Sequence, residues 1–200
     1  MKLSVHDIFE LQKNVACHRD EPSYKTLFLH FHRPLLNLAY SFVNSRETSE
    51  ELVCDVLMKV WTLQMDLLKI KNLKFYLYQA VRNSAINELK KNKKYTSWDI
   101  DNLQVQLNVD LYNPEEIFIK DELRRQIIIA VKDLPPKCQM VYKLVREDGF
   151  TYKEVAELLD ISTNTVDRHL SNALHKLMHT VKEYFYLFPL AYYNLSYILQ

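Results

Sequence analysis

Short hydrogen-bonding side chains and one arginine lie together near the end of the chain, on a segment with helical periodicity. The outward face of that segment carries Thr163, Asn164, Asp167, Arg168 and Ser171. Hydroxyl, amide and guanidinium groups near a helix N-terminus can reach base edges and phosphates in the major groove of DNA. The same spacing also fits an ordinary antiparallel helix pair with a solvated face, and spacing alone leaves both interpretations open.

The element that would position these side chains is a helix-turn-helix. Thr151 and Glu154 form a capping box at the start of a short first helix. Asp160-Ile161-Ser162 then breaks that helix, and Ser162 is a suitable N-cap for a second one. Apolar residues on one face of each helix are expected to be buried: Val155, Leu158, Leu159, Val166, Leu170, Ala173, Leu174 and Leu177. The small side chain of Ala156 would permit the close approach of a neighbouring helix.

A second candidate site combines positive charge with aromatic rings. Residues 59–94 hold nine lysines and arginines against two acidic residues, Asp66 and Glu88. The interleaved aromatic residues are Trp61, Phe75, Tyr76, Tyr78 and Tyr95. Phosphate attraction together with base stacking is what binds unpaired DNA or RNA. The alternative is a solvated basic face whose aromatic residues belong to the core, and the helical spacing of Tyr76 favours the core for that residue.

Three packed helices are expected around this basic segment. The first covers residues 24–43, where Pro34 should kink or restart it. The second opens at Thr48, with Glu51 completing a capping box, and the third follows Asn72 and ends in a run of lysines. The second helix carries an acidic cluster of Glu47, Glu50, Glu51 and Asp55. This cluster would either repel DNA and contact a basic protein, or favour the helix N-terminus electrostatically.

Between the two candidate sites the hydrophobic periodicity fails. Residues 95–112 accumulate aspartates without any lysine or arginine, which predicts an extended linker. Asn113-Pro114 then has the cap and the first-turn proline of a helix start, and Pro135-Pro136 ends that helix. A further helix from about Lys137 to Glu147 should end at Gly149, since glycine supplies the left-handed conformation that terminates helices.

Composition excludes several classes of protein. Lysine and arginine total 26 against 25 aspartates and glutamates, so we expect weak non-specific attraction to nucleic acid. The single glycine excludes P-loops and dinucleotide-binding loops and leaves a helical fold. Three cysteines without a CxxC pair suggest neither a zinc site nor a disulfide framework, which fits a reducing cytosol. His175 and His179 lie four residues apart without a third ligand, so we expect surface histidines, no metal and no cofactor.

Three stretches of the chain resemble one protein family. They are YKTLFLHFHRPLLNLAYSFVNSRETSEELVCDVLMKVW, LKFYLYQAVRNSAINELKK and LPPKCQMVYKLVREDGFTYKEVAELLDISTNTVDRHLSNALHKL. Together they resemble regions 2 and 4 of an extracytoplasmic-function (ECF) RNA polymerase sigma factor of the sigma-70 superfamily, in particular the Bacteroidetes type similar to iron-citrate regulators. The resemblance covers residues 24–181, and the ordered pair of regions is far more specific than either region alone.

The resemblance implies an all-α fold of two small helical domains joined by a flexible linker. Region 2 would occupy residues 1–95, the acidic linker residues 96–113, the region 4 helix-turn-helix residues 114–181, and an aromatic tail residues 182–200. The apolar part of the tail is short for a membrane span of about twenty residues. We hypothesise that the tail contributes to the binding of an anti-sigma protein.

The resemblance also implies a non-catalytic, cytoplasmic subunit of RNA polymerase with no cofactor and no small-molecule substrate. Its partners would be core RNA polymerase, promoter DNA and a membrane-anchored anti-sigma factor. The rival interpretation is a stand-alone helix-turn-helix repressor or activator that binds duplex DNA as a dimer. The basic-aromatic segment discriminates between the two, because a simple duplex binder has no use for a single-strand surface.

Positions that match the family's motifs assign candidate residues to three surfaces. Core polymerase would bind Glu50, Glu51 and Asp55. The opened minus-10 element would bind Lys74, Tyr76, Arg82, Asn83, Asn87 and Lys90. The minus-35 duplex would bind Ser162, Thr163, Asn164, Thr165, Asp167, Arg168 and Ser171.

Some positions depart from the family's usual residues. Cys54 stands where glutamine is usual at the polymerase dock, and Tyr76, Asn87 and Lys90 stand where tryptophan, aspartate and arginine are common. Lysine in place of arginine replaces a bidentate phosphate contact by a point charge. Asp160 replaces a frequent glycine, which the turn can accommodate because aspartate enters the left-handed conformation more readily than most residues.

Overall fold

Helices are the regular elements throughout the part of the chain that can be described. The computed structural model describes residues 3–91 and 129–179, and within these ranges every regular element is helical. The chain divides into two compact units, residues 1–111 and residues 112–200. The predicted all-α fold class is confirmed for the described ranges. Among the same residues, none of the helices has the length and apolar character needed to cross a bilayer.

The first unit is built around one long central helix. Its elements are α1 (Val5–His18), α2 (Glu21–Val43), α3 (Arg46–Thr62), a 3-10 helix (Gln64–Lys69) and α4 (Leu73–Lys91). α2 packs against α1, α3 and α4. Leu35 of α2, Val53 of α3 and Leu77 of α4 have no exposed surface. Each such buried side chain stabilises the fold by about 1.5–3 kcal/mol.

The expectation of three helices missed α1. Ser4 starts this helix with a capping box: its Oγ accepts from the Asp7 N–H at 3.1 Å, and the Asp7 carboxylate accepts from the Ser4 N–H at 2.8 Å. The hydrogen bonds that the Asp7 carboxylate receives from the backbone N–H and the side chain of Ser4 lower the pKa of Asp7. α1 buries only Gln12, Val15 and Ala16. Because that stripe is short and includes a polar residue, the hydrophobic periodicity gave little sign of the helix.

α2 differs from its prediction in its start, and of the two effects predicted for Pro34 the restart does not occur. It begins at Glu21 rather than Tyr24, and Asp20 caps it by accepting from the Ser23 N–H at 2.9 Å. The helix does not restart at Pro34 but runs unbroken to Val43. Proline cannot donate to the carbonyl one turn earlier. Burial of Leu35 and Leu36 in the following turn offsets that loss.

The predicted capping box of α3 is wrong, whereas the predicted start of α4 is confirmed. α3 begins at Arg46, and its N-cap is Ser45, whose Oγ accepts from the Thr48 N–H at 3.4 Å. Thr48 therefore lies inside the first turn, and its hydroxyl donates to Ser45 Oγ at 3.0 Å. α4 follows Asn72, whose Oδ1 accepts from the Phe75 N–H at 3.1 Å.

The second unit is a set of short helices around a small core. Residues 129–132 are helical, and α5 (Pro136–Tyr142) follows the two prolines and continues as a π-helical turn, Lys143–Glu147. Gly149 has a φ of 71°, as predicted for the residue that ends this helix. α6 (Tyr152–Leu159) and α7 (residues 163–179) complete the described part. One core cluster consists of Ala130, Val131, Leu134, Cys138, Ala173 and Leu177.

Several predictions fall on residues 92–128 and 180–200, outside the described ranges. They are the linker over residues 96–113, the helix start at Asn113-Pro114 and the aromatic tail over residues 182–200. The predicted domain boundaries stay predictions. Among the described residues, no group of three or more histidine, cysteine and acidic side chains could hold a metal ion.

Candidate nucleic-acid and polymerase interfaces

α6 and the turn after it set the direction of α7. The predicted capping box is present, because Thr151 Oγ1 accepts from the Glu154 N–H at 3.3 Å and the Glu154 carboxylate accepts from the Thr151 N–H at 2.9 Å. α6 buries Val155 and Leu158 completely. Asp160 ends it in the left-handed conformation, with φ 57° and ψ 47°. Aspartate thus takes the backbone geometry that glycine usually supplies.

Seven residues at the N-terminal half of α7 were predicted to face DNA, and they divide into two groups. Ser162 Oγ accepts from the Thr165 N–H at 3.0 Å and lies 2.8 Å from the Thr165 hydroxyl. Ser162 is therefore the N-cap of α7, and the Thr165 hydroxyl group contacts it. The remaining five side chains are exposed together on one face: Thr163, Asn164, Asp167, Arg168 and Ser171. Val166 and Leu170 are buried on the opposite face and hold α7 against the rest of the unit.

The predicted single-strand surface lies on α4. The helix buries Leu73, Leu77, Tyr78, Val81 and Ala85. Tyr76, Asn83, Asn87 and Lys90 follow one another in steps of seven, four and three residues, so they share the opposite face. Asn83, Asn87 and Lys90 are exposed, and Tyr76 is half-buried. Tyr78, which is 1 % exposed, belongs to the core, whereas Tyr76 is only partly buried.

Lys74 and Arg82 are placed differently from those four residues. Both are half-buried, and neither has the sequence spacing that would align it with Tyr76 and Asn83. The Arg82 guanidinium donates to Asn83 Oδ1 at 3.3 Å. Arg82 is thus in contact with the exposed face and can support the orientation of Asn83 on it.

The acidic cluster occupies the solvent side of α3. Glu51, Cys54 and Asp55 are exposed, whereas Val53, Val56 and Leu57 are buried behind them. Glu50 is half-buried and forms an ion pair with Arg46, with Nε and Oε1 2.9 Å apart. Because this pair is largely exposed, its contribution to stability is small. Glu51 and Asp55 lie one helical turn apart, so their carboxylates are on the same side of α3 and could contact one basic partner together.

Comparison with known proteins assigns both units. Residues 27–95 match the family model "Sigma-70 region 2", and residues 124–177 match "Sigma-70, region 4". The chain belongs to the sigma-70 family. The ECF RNA polymerase sigma-E factor of Escherichia coli strain K12 is 21% identical over 170 residues, which are 82% of this chain and 88% of that protein. The chain is thus an ECF sigma factor and acts in the initiation of transcription.

Two further proteins are similar to this sigma factor over part of its length. The RNA polymerase sigma-D factor of Bacillus subtilis strain 168 is 33% identical over 86 residues, 42% of this chain and 34% of that protein. A solved structure of the sigma factor RpoE in complex with the anti-sigma factor NepR from Bartonella quintana has a TM-score of 0.46 at 22% identity. It covers 80% of this chain and 96% of that one.

Region 2 of this sigma factor also contains an aromatic cluster that the sequence interpretation missed. Trp61, counted above among the stacking residues of the basic segment, packs instead against Tyr24 of α2, with ring centroids 5.2 Å apart. The Arg19 guanidinium lies 4.5 Å from the Trp61 ring centroid. Burial raises the pKa of Tyr24, with the neighbouring Cys54 as a second cause. No sequence spacing links Tyr24 to Trp61, since they lie on separate helices.

Region 4 contains a second contact that sequence alone did not suggest. Cys138 of α5 and His169 of α7 meet, with Sγ and Nδ1 3.6 Å apart. Burial raises the pKa of Cys138 and lowers the pKa of His169, so both side chains are neutral near pH 7. Lys176 of α7 makes a second contact, since its Nζ donates a hydrogen bond to the Asp133 carbonyl at 3.3 Å. These contacts hold α7 against the rest of the second unit.

Proposed function

We propose that this sigma factor is a non-catalytic specificity subunit in which each described unit contacts one part of a promoter. The observation that carries the proposal is the order of two sigma-70 regions on one chain, each with an exposed face of suitable chemistry. The stand-alone regulator considered above would leave the region 2 match over residues 27–95 without a role. Core RNA polymerase would present both units together, since the near-neutral chain has little attraction for DNA by itself.

Region 4 would read the minus-35 duplex with α7 in the major groove. The five exposed residues of its face offer donors and acceptors to base edges and phosphates. Ser162 and Thr165 would act differently, because their hydroxyl groups already engage each other at the helix N-terminus. Their contribution would be to hold that N-terminus, whose free N–H groups favour a phosphate.

Region 2 would hold one strand of the opened minus-10 element on α4. Tyr76 would stack on an unpaired base, while Asn83 and Asn87 would bond to base edges and Lys90 to a phosphate. Arg82 would support this face through its contact with Asn83, whereas Lys74 lies two residues before Tyr76 and therefore points away from this face. Stacking of one base on the Tyr76 ring would contribute about 1–3 kcal/mol.

The acidic face of α3 would dock on core polymerase. Glu51 and Asp55 would meet basic groups of the core, and Glu50 would join them at the cost of its ion pair with Arg46. Cys54 lies between them and is exposed, so it would be part of the same contact. Electrostatic complementarity of this kind speeds association more than it raises affinity.

Finer assignments rest on the resemblance of the sequence alone. We propose that the protein is of the Bacteroidetes iron-citrate-regulator type, works in the cytoplasm and is held by a membrane-anchored anti-sigma factor. The aromatic tail, residues 182–200, would contribute to that inhibitor's binding site. Deletion of the tail should then weaken inhibitor binding and leave core binding unchanged. Equal inhibitor affinity with and without the tail would remove that role.

Reconstituted transcription tests the proposed function. Purified protein is added to core polymerase with a library of promoter fragments, and transcript starts are sequenced. We expect new start sites that require both components and share sequence elements ten and thirty-five base pairs upstream. No added start sites, together with a tight footprint of the isolated protein on duplex DNA, would support the stand-alone regulator instead.

A further inference from the structure

One buried side chain of α1 joins this helix to the connection between α3 and α4. Gln12 is 2 % exposed. Its Nε2 donates to the Leu67 carbonyl at 2.6 Å and to the Ile70 carbonyl at 2.9 Å. Both carbonyls belong to the stretch of residues 63–72, and Leu67 is itself completely buried. Both amide hydrogens of the glutamine are therefore committed to this one stretch.

The stretch that Gln12 holds is poorly stabilised by its own backbone. It contains a 3-10 helix of six residues, a helix type whose hydrogen bonds are weak and whose runs are short. Gln64, its first residue, has a φ of 50°, a conformation that a residue with a Cβ adopts at a cost. The structure of this stretch thus depends on contacts from outside it, and the Gln12 amide and the buried Leu67 supply them.

The same stretch sets the start of α4. Asn72 follows Ile70 by two residues and caps α4 through the Phe75 N–H. Tyr76, in the first turn of α4, accordingly sits only a few residues beyond a carbonyl that Gln12 holds. A displacement of residues 67–70 would move the first turn of α4, which carries Tyr76.

We infer that Gln12 is a positioning residue for promoter opening: its amide fixes residues 67–70 and so orients the first turn of the strand-holding helix. The inference rests on the proposed function of α4. Gln12 lies before residues 27–95, the extent of the region 2 match, so the family comparison assigns it no role. Through Gln12, α1 would thus contribute to promoter opening, although this buried side chain does not contact DNA.

The test uses the full chain in holoenzyme and a matched pair of variants. Gln12→Met removes both amide donors at similar volume. Gln139→Met makes the same change in the second unit, where the buried Gln139 Nε2 donates to the Val131 carbonyl at 3.0 Å. Three quantities are measured for each: affinity for core, affinity of holoenzyme for a minus-35 duplex, and the rate of opening reported by 2-aminopurine in the minus-10 element.

For Gln12→Met we expect a roughly tenfold slower opening, the scale of effect when two buried carbonyls lose their donors. Its affinities for core and for the minus-35 duplex should stay within about twofold of the wild type. Gln139→Met should open DNA at the wild-type rate once bound. Gln12→Asn keeps the amide group but shortens the side chain. If Gln12→Met fails to fold, the three measurements are made on Gln12→Asn, which should destabilise the fold less.

Three results would overturn the inference. Wild-type opening by a folded Gln12 variant would show that the amide does not orient α4. A parallel loss of core affinity and opening would show a general loss of fold in the first unit. Failure of wild-type holoenzyme to open any promoter would remove the proposed function itself, and that result is distinct because it appears before any variant is compared.

Discussion

We expect the substitution of Arg168 by alanine to weaken DNA recognition without changing the fold or the affinity for core polymerase. Arg168 is exposed on α7, and within residues 3–91 and 129–179 no carboxylate forms an ion pair with it. Its removal should therefore leave the stability of the second unit unchanged. The whole effect is expected in the affinity of holoenzyme for the minus-35 duplex.

The size of that effect distinguishes two kinds of contact. A guanidinium bonded to a guanine edge contributes about 1–3 kcal/mol, so its loss lowers affinity roughly 5- to 150-fold and relaxes specificity at one base pair. A guanidinium on a phosphate contributes equally on all sequences, and its loss lowers the slope of log affinity against log salt by about 0.9. Duplex competition at several salt concentrations measures both quantities.

The matched control is Arg146→Ala. Arg146 is exposed in the same unit, on the π-helical turn after α5, so its loss changes net charge by the same amount at another place. We expect Arg146→Ala to change minus-35 affinity less than twofold and neither variant to change core affinity. Equal effects of the two substitutions would refute the assignment of α7 as the reading helix, because charge alone would then account for the loss.

Three further predictions concern docking, capping and pH. Asp55→Lys should lower the affinity for core polymerase about tenfold, as measured in a pull-down. Glu10→Lys, on the exposed side of α1, should leave that affinity unchanged. If core polymerase retains both variants equally, Asp55 is not part of the core-binding surface. Ser162→Ala should lower the free energy of unfolding of the second unit by about 1 kcal/mol, because it removes the α7 cap, and an unchanged denaturant midpoint would contradict this. Burial lowers the pKa of His169 below its usual 6.5, so the unfolded state binds more protons in acid. The stabilising contribution of neutral His169 is therefore complete above pH 6.5 and is lost as the pH falls through the lowered pKa. His169→Gln should make the free energy of unfolding less dependent on pH in this range.

Local signals in the sequence predicted the second unit well. The capping box of Thr151 and Glu154, the turn at Asp160 and the cap at Ser162 each involve residues within three positions of one another. Gly149 ends its helix for the same reason, since its backbone conformation is a local property. Elements determined by neighbouring residues are readable from one sequence.

The errors in the first unit have a common physical origin. Thr48 and Glu51 satisfy the pattern of a capping box, yet Ser45 lies three residues earlier and takes the cap first. The stripe of α1 is too short to stand out by periodicity. Gln12 bonds to carbonyls 55 and 58 residues away, and only the packed tertiary structure brings them together. Contacts between distant segments, including that of Tyr24 with Trp61, leave no periodic trace in the sequence.

Permanganate reactivity of unpaired thymines tests the central claim most directly. A cognate promoter is probed with the protein alone, with core polymerase alone and with both together. We predict reactive thymines around the minus-10 element only when both are present, with protection of the minus-35 duplex in the same complex. Tight protection of duplex DNA by the protein alone, with no reactive thymines after core is added, would contradict the account.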